Sequence, residues 1–154
     1  MARQSDPETE RKRAWLNRYQ DSLRRQRLLL FQVEDARSYA TSIQAAPGGA
    51  RTAYTGTYSD RVANAVQRID ELQRKYIAEV ERGYQVYDEI QAAINALPDT
   101  MQAMALYYRY LQGMKGDLIC VKLDRSRATV TKLLSTGLAA LEVPENSPEN
   151  PKVC

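Results

Sequence analysis

The chain has 154 residues, 44% hydrophobic and 27% charged, with a formal net charge of +3. That length suits one domain, or a small domain carrying an extended helical arm. So small a charge permits nucleic-acid contact only if concentrated on one surface, and the absence of histidine removes the usual general base, His-containing zinc sites and Ser–His or Cys–His nucleophile pairs.

Cys120 and Cys154 are the only cysteines, one inside an apolar run and one at the last position. They make no disulfide framework and point to a reducing compartment. No apolar run approaches the roughly 20 residues that span a bilayer, and residues 1–13 are too polar for a secretory signal. The expected location is the cytoplasm, with no membrane partner.

Residues 1–7 are polar and expected to be flexible. Ser5-Asp6-Pro7-Glu8 reads as a helix start, with proline in the first turn and acids near the positive end of the dipole. Nothing breaks that helix before Ala46. Leu16, Leu23 and Leu30 recur every seventh residue, and Tyr19, Gln26, Val33 and Ala40 fill a second series, together a heptad seam. Pro47-Gly48-Gly49 stops the helix, and residues 47–59 read as a loop.

A second long helix is expected from Ser59 or Asp60. Val62, Ile69, Tyr76, Gly83, Ile90 and Leu97 form one series of sevens, and Val66, Gln73, Val80, Tyr87 and Ile94 the other. Two such helices joined by one loop form an antiparallel hairpin over 8–97, each arm about 55 Å long at 1.5 Å per residue. The arginines of the first helix spread around several of its sides, so no single basic stripe is expected there. Acidic residues read as helix-face partners for Lys and Arg at i,i+4.

Leu97-Pro98-Asp99 marks a boundary, and Asp99 is placed to cap a third helix whose inner face is Met101, Met104, Ala105, Tyr108 and Leu111. Gly113 ends it. A short helix follows, with Leu118, Ile119 and either Val121 or Leu123 turned inward. The last helix starts at Ser126, a good N-cap, and carries Val130, Leu134, Leu138 and Leu141 at helical spacing. Residues 143–154, with Pro-Glu-Asn twice, read as a disordered tail. The fold class is therefore all-α: a long antiparallel helical hairpin, then a tri-helical helix-turn-helix over 98–142.

The informative stretch is 119–134. A helix-turn-helix needs a small residue in its first helix so that the second can cross closely, for which Cys120 serves. It needs an apolar anchor closing that helix (Leu123), a tight turn (Asp124-Arg125), a cap (Ser126) and an apolar residue four beyond the cap (Val130). All occur in the required order. The outward face of the last helix then presents Arg127, Ala128, Thr131, Lys132 and Ser135, with Arg125 just ahead. Arginine can bond a guanine edge at two points, while lysine and hydroxyls suit phosphates or bases. Ser126 opens the helix N-terminus, which favours a phosphate. Lys115 and Lys122 are placed to hold the backbone from the preceding helix. The same anchors also occur in tri-helical cores that do not touch DNA, and the heptad seams are first of all hairpin core.

Leu97-Pro98, Tyr107-Tyr108-Arg109-Tyr110-Leu111-Gln112-Gly113, Ser126-Arg127-Ala128-Thr129-Val130 and Gly137-Leu138-Ala139-Ala140-Leu141 together resemble the fourth region of sigma-70-type factors. More closely, residues 15–142 resemble small phage and prophage transcriptional regulators of Gram-positive bacteria, which join a coiled-coil N-terminal half to a sigma-region-four-like C-terminus. The segment Tyr39-Ala40-Thr41-Ser42-Ile43 before a Gly-rich loop resembles the end of that family's first helix. Asp124 stands where the family usually has glycine, and Lys115-Gly116-Asp117 where it often has an aromatic and acids.

The resemblance implies a DNA-binding transcriptional regulator of phage or prophage genes, associated with the nucleoid. Double-stranded DNA is the expected partner and RNA polymerase a second candidate. Homodimerisation through the hairpin stays open, because many helix-turn-helix proteins bind paired half-sites. The alternative is an interaction protein, or a phage assembly or packaging component, without sequence-specific DNA reading. No enzyme is expected: there is no Gly-rich phosphate loop, catalytic carboxylate pair or metal-ligand cluster. No cofactor and no metal are implied. Cys120 reads as a small core residue rather than a reactive thiol.

Overall fold

The computed structural model describes residues 5–45 and 55–145, the side chains of 45 and 55–57 excepted. Among the described residues there are five α-helices and no strand: α1 (Pro7–Ala45), α2 (Thr55–Asn95), α3 (Thr100–Leu106), α4 (Gly116–Leu123) and α5 (Arg127–Ala140), with a π turn (Tyr107–Leu111) continuing α3. The chain is all-α, a long antiparallel hairpin followed by a tri-helical helix-turn-helix. α2 starts at Thr55, ahead of the expected Ser59 or Asp60. Residues 55–59 are thus helix rather than loop, and the rest of the expected loop lies outside the described residues, as do residues 1–4 and 146–154.

Two compact units divide the chain: Ser22–Arg82, and the remainder, which joins both outer ends of the hairpin helices to the C-terminal helices. In Ser22–Arg82, α1 and α2 meet through Val33, Ala36 and Leu72, flanked by Leu29 and Ile69. The Ser22 hydroxyl donates to the Glu79 carbonyl at 3.4 Å, and Arg25 reaches the Glu79 carboxylate at 2.9 Å. One expected seam of each helix is where the sevens place it. The other is displaced by one residue. In α1 it runs Trp15, Ser22, Leu29, Ala36, leaving Leu30 41% exposed; in α2 it runs Ala65, Leu72, Glu79, Val86, leaving Val66 50% exposed. A residue one place along a helix turns by about 100°, enough to carry a side chain from the seam to its flank.

The other unit holds two joined cores. The larger gathers Trp15, Leu16, Val86, Ile90, Ile94, Leu97, Leu106, Leu111, Leu138 and Leu141; Tyr107, Tyr110 and Val143 rest against it. Here Leu16 is fully buried, because a flank of α1 that two helices alone would leave open is covered by α3 and α5. Burial of each such leucine stabilises by about 1.5–3 kcal/mol. The smaller core is Ala105, Ile119, Leu123 and Val130.

Local chemistry sets the C-terminal elements. The Asp99 carboxylate accepts from the Met101 and Gln102 amides, capping α3 as its position implies. The inner face differs from expectation in one place: Met104 is 37% exposed and Leu106 is fully buried. The π turn, closed by the Gln112 amide on the Tyr107 carbonyl at 3.0 Å, inserts an extra residue, so Leu106 and Leu111 both reach the larger core. Gly113 follows at φ +66°, and a Cβ there would stand 2.9 Å from Gln20 Oε1. Gln20 donates to the Tyr110 and Leu111 carbonyls, satisfying groups a helix end leaves open. In α4, Ile119 and Leu123 face in as expected, whereas Leu118 (46% exposed) and Val121 (75%) turn outward.

Candidate nucleic-acid interface

α4, the turn and α5 form the helix-turn-helix. Asp124 ends α4 with φ 52° and ψ 52°, a left-handed conformation that aspartate reaches more readily than most residues. The Arg125 amide closes onto the Cys120 carbonyl at 3.1 Å. Ser126 is extended, and its hydroxyl accepts from the Thr129 amide at 3.3 Å, the N-cap its sequence position implies. Cys120 is a half-buried free thiol against the smaller core.

The apolar side of α5 is held by Val130, Gly137, Leu138 and the following Leu141, all buried. At Gly137 a Cβ would approach Gln102 Cβ at 3.2 Å and Leu106 Cδ1 at 3.3 Å, so the missing side chain is what brings α5 so near α3. At about 100° per residue this orientation fixes the opposite side. Ala128, Lys132 and Ser135 lie there and Thr131 stands on the flank beside Leu138; all four are exposed. Arg125, Ser126 and Arg127 are exposed at the start of the helix, Lys115 and Lys122 at the two ends of α4. The nine residues singled out in the sequence thus occupy one contiguous segment, and every one is exposed.

Several of these side chains have local partners. The Arg127 guanidinium lies 3.7 Å from the Asp117 carboxylate, both ends more than four-fifths exposed, so the pair contributes little and exchanges readily. Arg125 donates to the Asp124 carbonyl at 3.0 Å. The Thr131 hydroxyl donates to the Arg127 carbonyl at 2.9 Å. Its proton is thereby committed to the helix, and toward a ligand Thr131 offers a lone pair and a methyl group.

Reading the motif alone missed a cleft of about 400 Å³ alongside α5. Its walls are Arg13 and Asn17 of α1, Arg109 and Tyr110 of the π turn, and Thr131 and Ser135 of α5, with Leu134 and Leu138 beneath. Burial pushes the Tyr110 phenol above its ordinary value of 10, against the pull of Arg13 and Arg109. Arg109 was legible as the one cation in a tyrosine run; nothing in the sequence joined Arg13 to it.

Among the described residues, no group of three or more His, Cys, Asp or Glu is placed to hold a metal ion, and no helix is long and apolar enough to cross a membrane. No protein-family model matches the chain, and neither curated proteins nor solved structures yield a match.

Proposed function

We propose that this protein is a DNA-binding transcriptional regulator, of the kind phage and prophage genomes encode, whose α5 enters the major groove. Arg127, Ala128, Thr131 and Lys132 face base edges, and Arg125, Lys115 and Lys122 contact phosphates. The observation that carries the reading is the exposed polar side of α5, opposite a face locked by Val130, Gly137 and Leu138. A cap-to-core geometry of this kind delivers a rigid rod whose outer side is free to enter a groove. Thr131, with its proton committed to Arg127, suits a base-edge donor or a thymine methyl. RNA polymerase is the second partner.

The test is duplex binding by the full chain. The double variant R127A/K132A removes two cations from the exposed side and no core contact. It should lose at least tenfold in affinity for a selected site, the discrimination about one good base contact supplies, while helicity and thermal midpoint stay those of wild type. Equal affinity of variant and wild type would remove α5 from the groove.

A second reading is favoured by a separate observation. In Ser22–Arg82, Leu28, Phe31 and Ile77 are 56%, 59% and 56% exposed. Large apolar side chains in such numbers on a helical arm fit a protein-contacting surface. That surface would serve an assembly or interaction role with or without DNA.

A further inference from the structure

The cleft beside α5 is built unlike the surrounding surface. It brings together two guanidiniums from distant parts of the chain, Arg13 from α1 and Arg109 from the π turn. Asn17, Tyr110 and Ser135 also line it, and the Glu10 carboxylate beside it is held by Arg13. Thr131 and Ser135 stand one turn apart on the flank of α5 that edges this cleft, between the buried Leu138 and the side that carries Lys132. A strand lying along that side would pass the cleft with its phosphates rather than its bases.

We propose that this cleft is a nucleic-acid backbone subsite, in which Arg13 and Arg109 clasp a phosphodiester of the strand flanking α5. This rests on the DNA-binding reading above and extends its footprint from the helix-turn-helix to the first helix of the chain. The chemistry is that of guanidinium forks on a phosphate. Each fork has five donors, and neither is consumed by the contacts it makes. Arg13 holds Glu10 at 2.7 Å through Nη1 and hydrogen-bonds the Tyr110 phenol, and Arg109 holds the Met114 carbonyl at 3.5 Å through Nη1. These contacts aim the side chains and leave other donors free. The Arg13–Glu10 pair is about half exposed at both ends, where ion pairs are weak, so it offers a phosphate little competition. The subsite carries no base information. Its work is to fix how α5 lies in the groove, as backbone contacts generally do.

The probe is a random-sequence DNA duplex, titrated with the full chain at several salt concentrations, for wild type, R13A/R109A, R13K/R109K and R127A/K132A. Each backbone phosphate neutralised contributes about 0.9 to the slope of log affinity against log salt. R13A/R109A should flatten that slope by about one and weaken binding about tenfold, and by the same factor on every duplex. R13K/R109K should keep the slope, because the charges remain, yet bind more weakly for want of the forks. R13Q/R109Q replaces the alanine variant should its thermal midpoint fall. A wild-type slope in R13A/R109A, alongside a loss in R127A/K132A, overturns the subsite and leaves the groove assignment standing. Wild-type protein without salt-dependent binding to any duplex overturns both.

Discussion

The two units of this chain share the same two helices and the same heptad spacing, yet they are stabilised very differently. Among the described residues, Ser22–Arg82 buries four apolar side chains, Val33, Ala36, Ala65 and Leu72, and a serine in its seam. The other unit encloses Leu16, Ile90, Ile94, Leu106, Ile119 and Leu141 with essentially no exposure. Two helices alone shield only one stripe of each other. A third and fourth partner shield the flanks as well. Heptad spacing therefore sets where helices meet, while the number of partners sets how much each contact contributes. Stability should be concentrated in the unit that also carries α5, and a difference of this kind is measurable.

The sharpest way to break the comparison is to empty one side chain in each unit. Leu106→Ala removes a fully buried residue that touches α5 at Gly137. It should cost about 2–5 kcal/mol in urea unfolding, and α5 should lose its protection in hydrogen exchange. Leu72→Ala, at 7% exposure in the thinner seam, should fall near the lower end, about 2 kcal/mol. Its effect should appear as faster exchange confined to 22–82, because local opening there need not open the other unit. Equal losses spread over both units would mean that the chain unfolds as one cooperative block and that the division has no energetic meaning.

A smaller effect probes a single turn. Gly113 sits at φ +66° with Gln20 against the place of its absent Cβ. Gly113→Ala should cost about 1–2 kcal/mol from the left-handed conformation alone, plus whatever Gln20 loses by moving. Pairing it with Gln20→Ala relieves the steric part and leaves the conformational part, so the double variant separates the two. A double variant no better than the sum of its parts would show that Gln20 yields at no cost.

How much of this was legible in the sequence follows the range of the forces involved. Caps and turns act within four residues, and so Asp99, Gly113, Asp124 and Ser126 could be placed from their neighbours alone. Seam registry depends on the partner helix. The run Leu28-Leu29-Leu30-Phe31 offers apolar residues at consecutive positions, and choosing Leu30 over Leu29 by counting sevens is arbitrary until α2 is in place. Ser22 and Glu79 sit in the displaced seams, where apolar counting cannot find polar residues. The same limit hid part of the candidate interface. Its α4–α5 segment is local and was readable, whereas Arg13 and Arg109 lie far apart in the sequence and line one cleft beside the core that Trp15, Leu16 and Leu111 share.

The smallest expected effect isolates the cap at the start of α5. Ser126→Ala removes the acceptor for the Thr129 amide and should cost about 1 kcal/mol, well within the reserve of a unit with so large a core. If the serine only caps, DNA affinity should fall no further than the fraying of the first turn dictates, and Ser126→Asp should restore stability, since aspartate caps as well and adds a favourable charge at the positive end of the helix. A phosphate approaching that end reverses the preference, because a carboxylate would repel it. Recovery of the thermal midpoint by aspartate without recovery of duplex binding therefore places a backbone phosphate at Ser126; recovery of both leaves the residue a structural cap and moves the phosphate contacts to Arg125, Lys115 and Lys122.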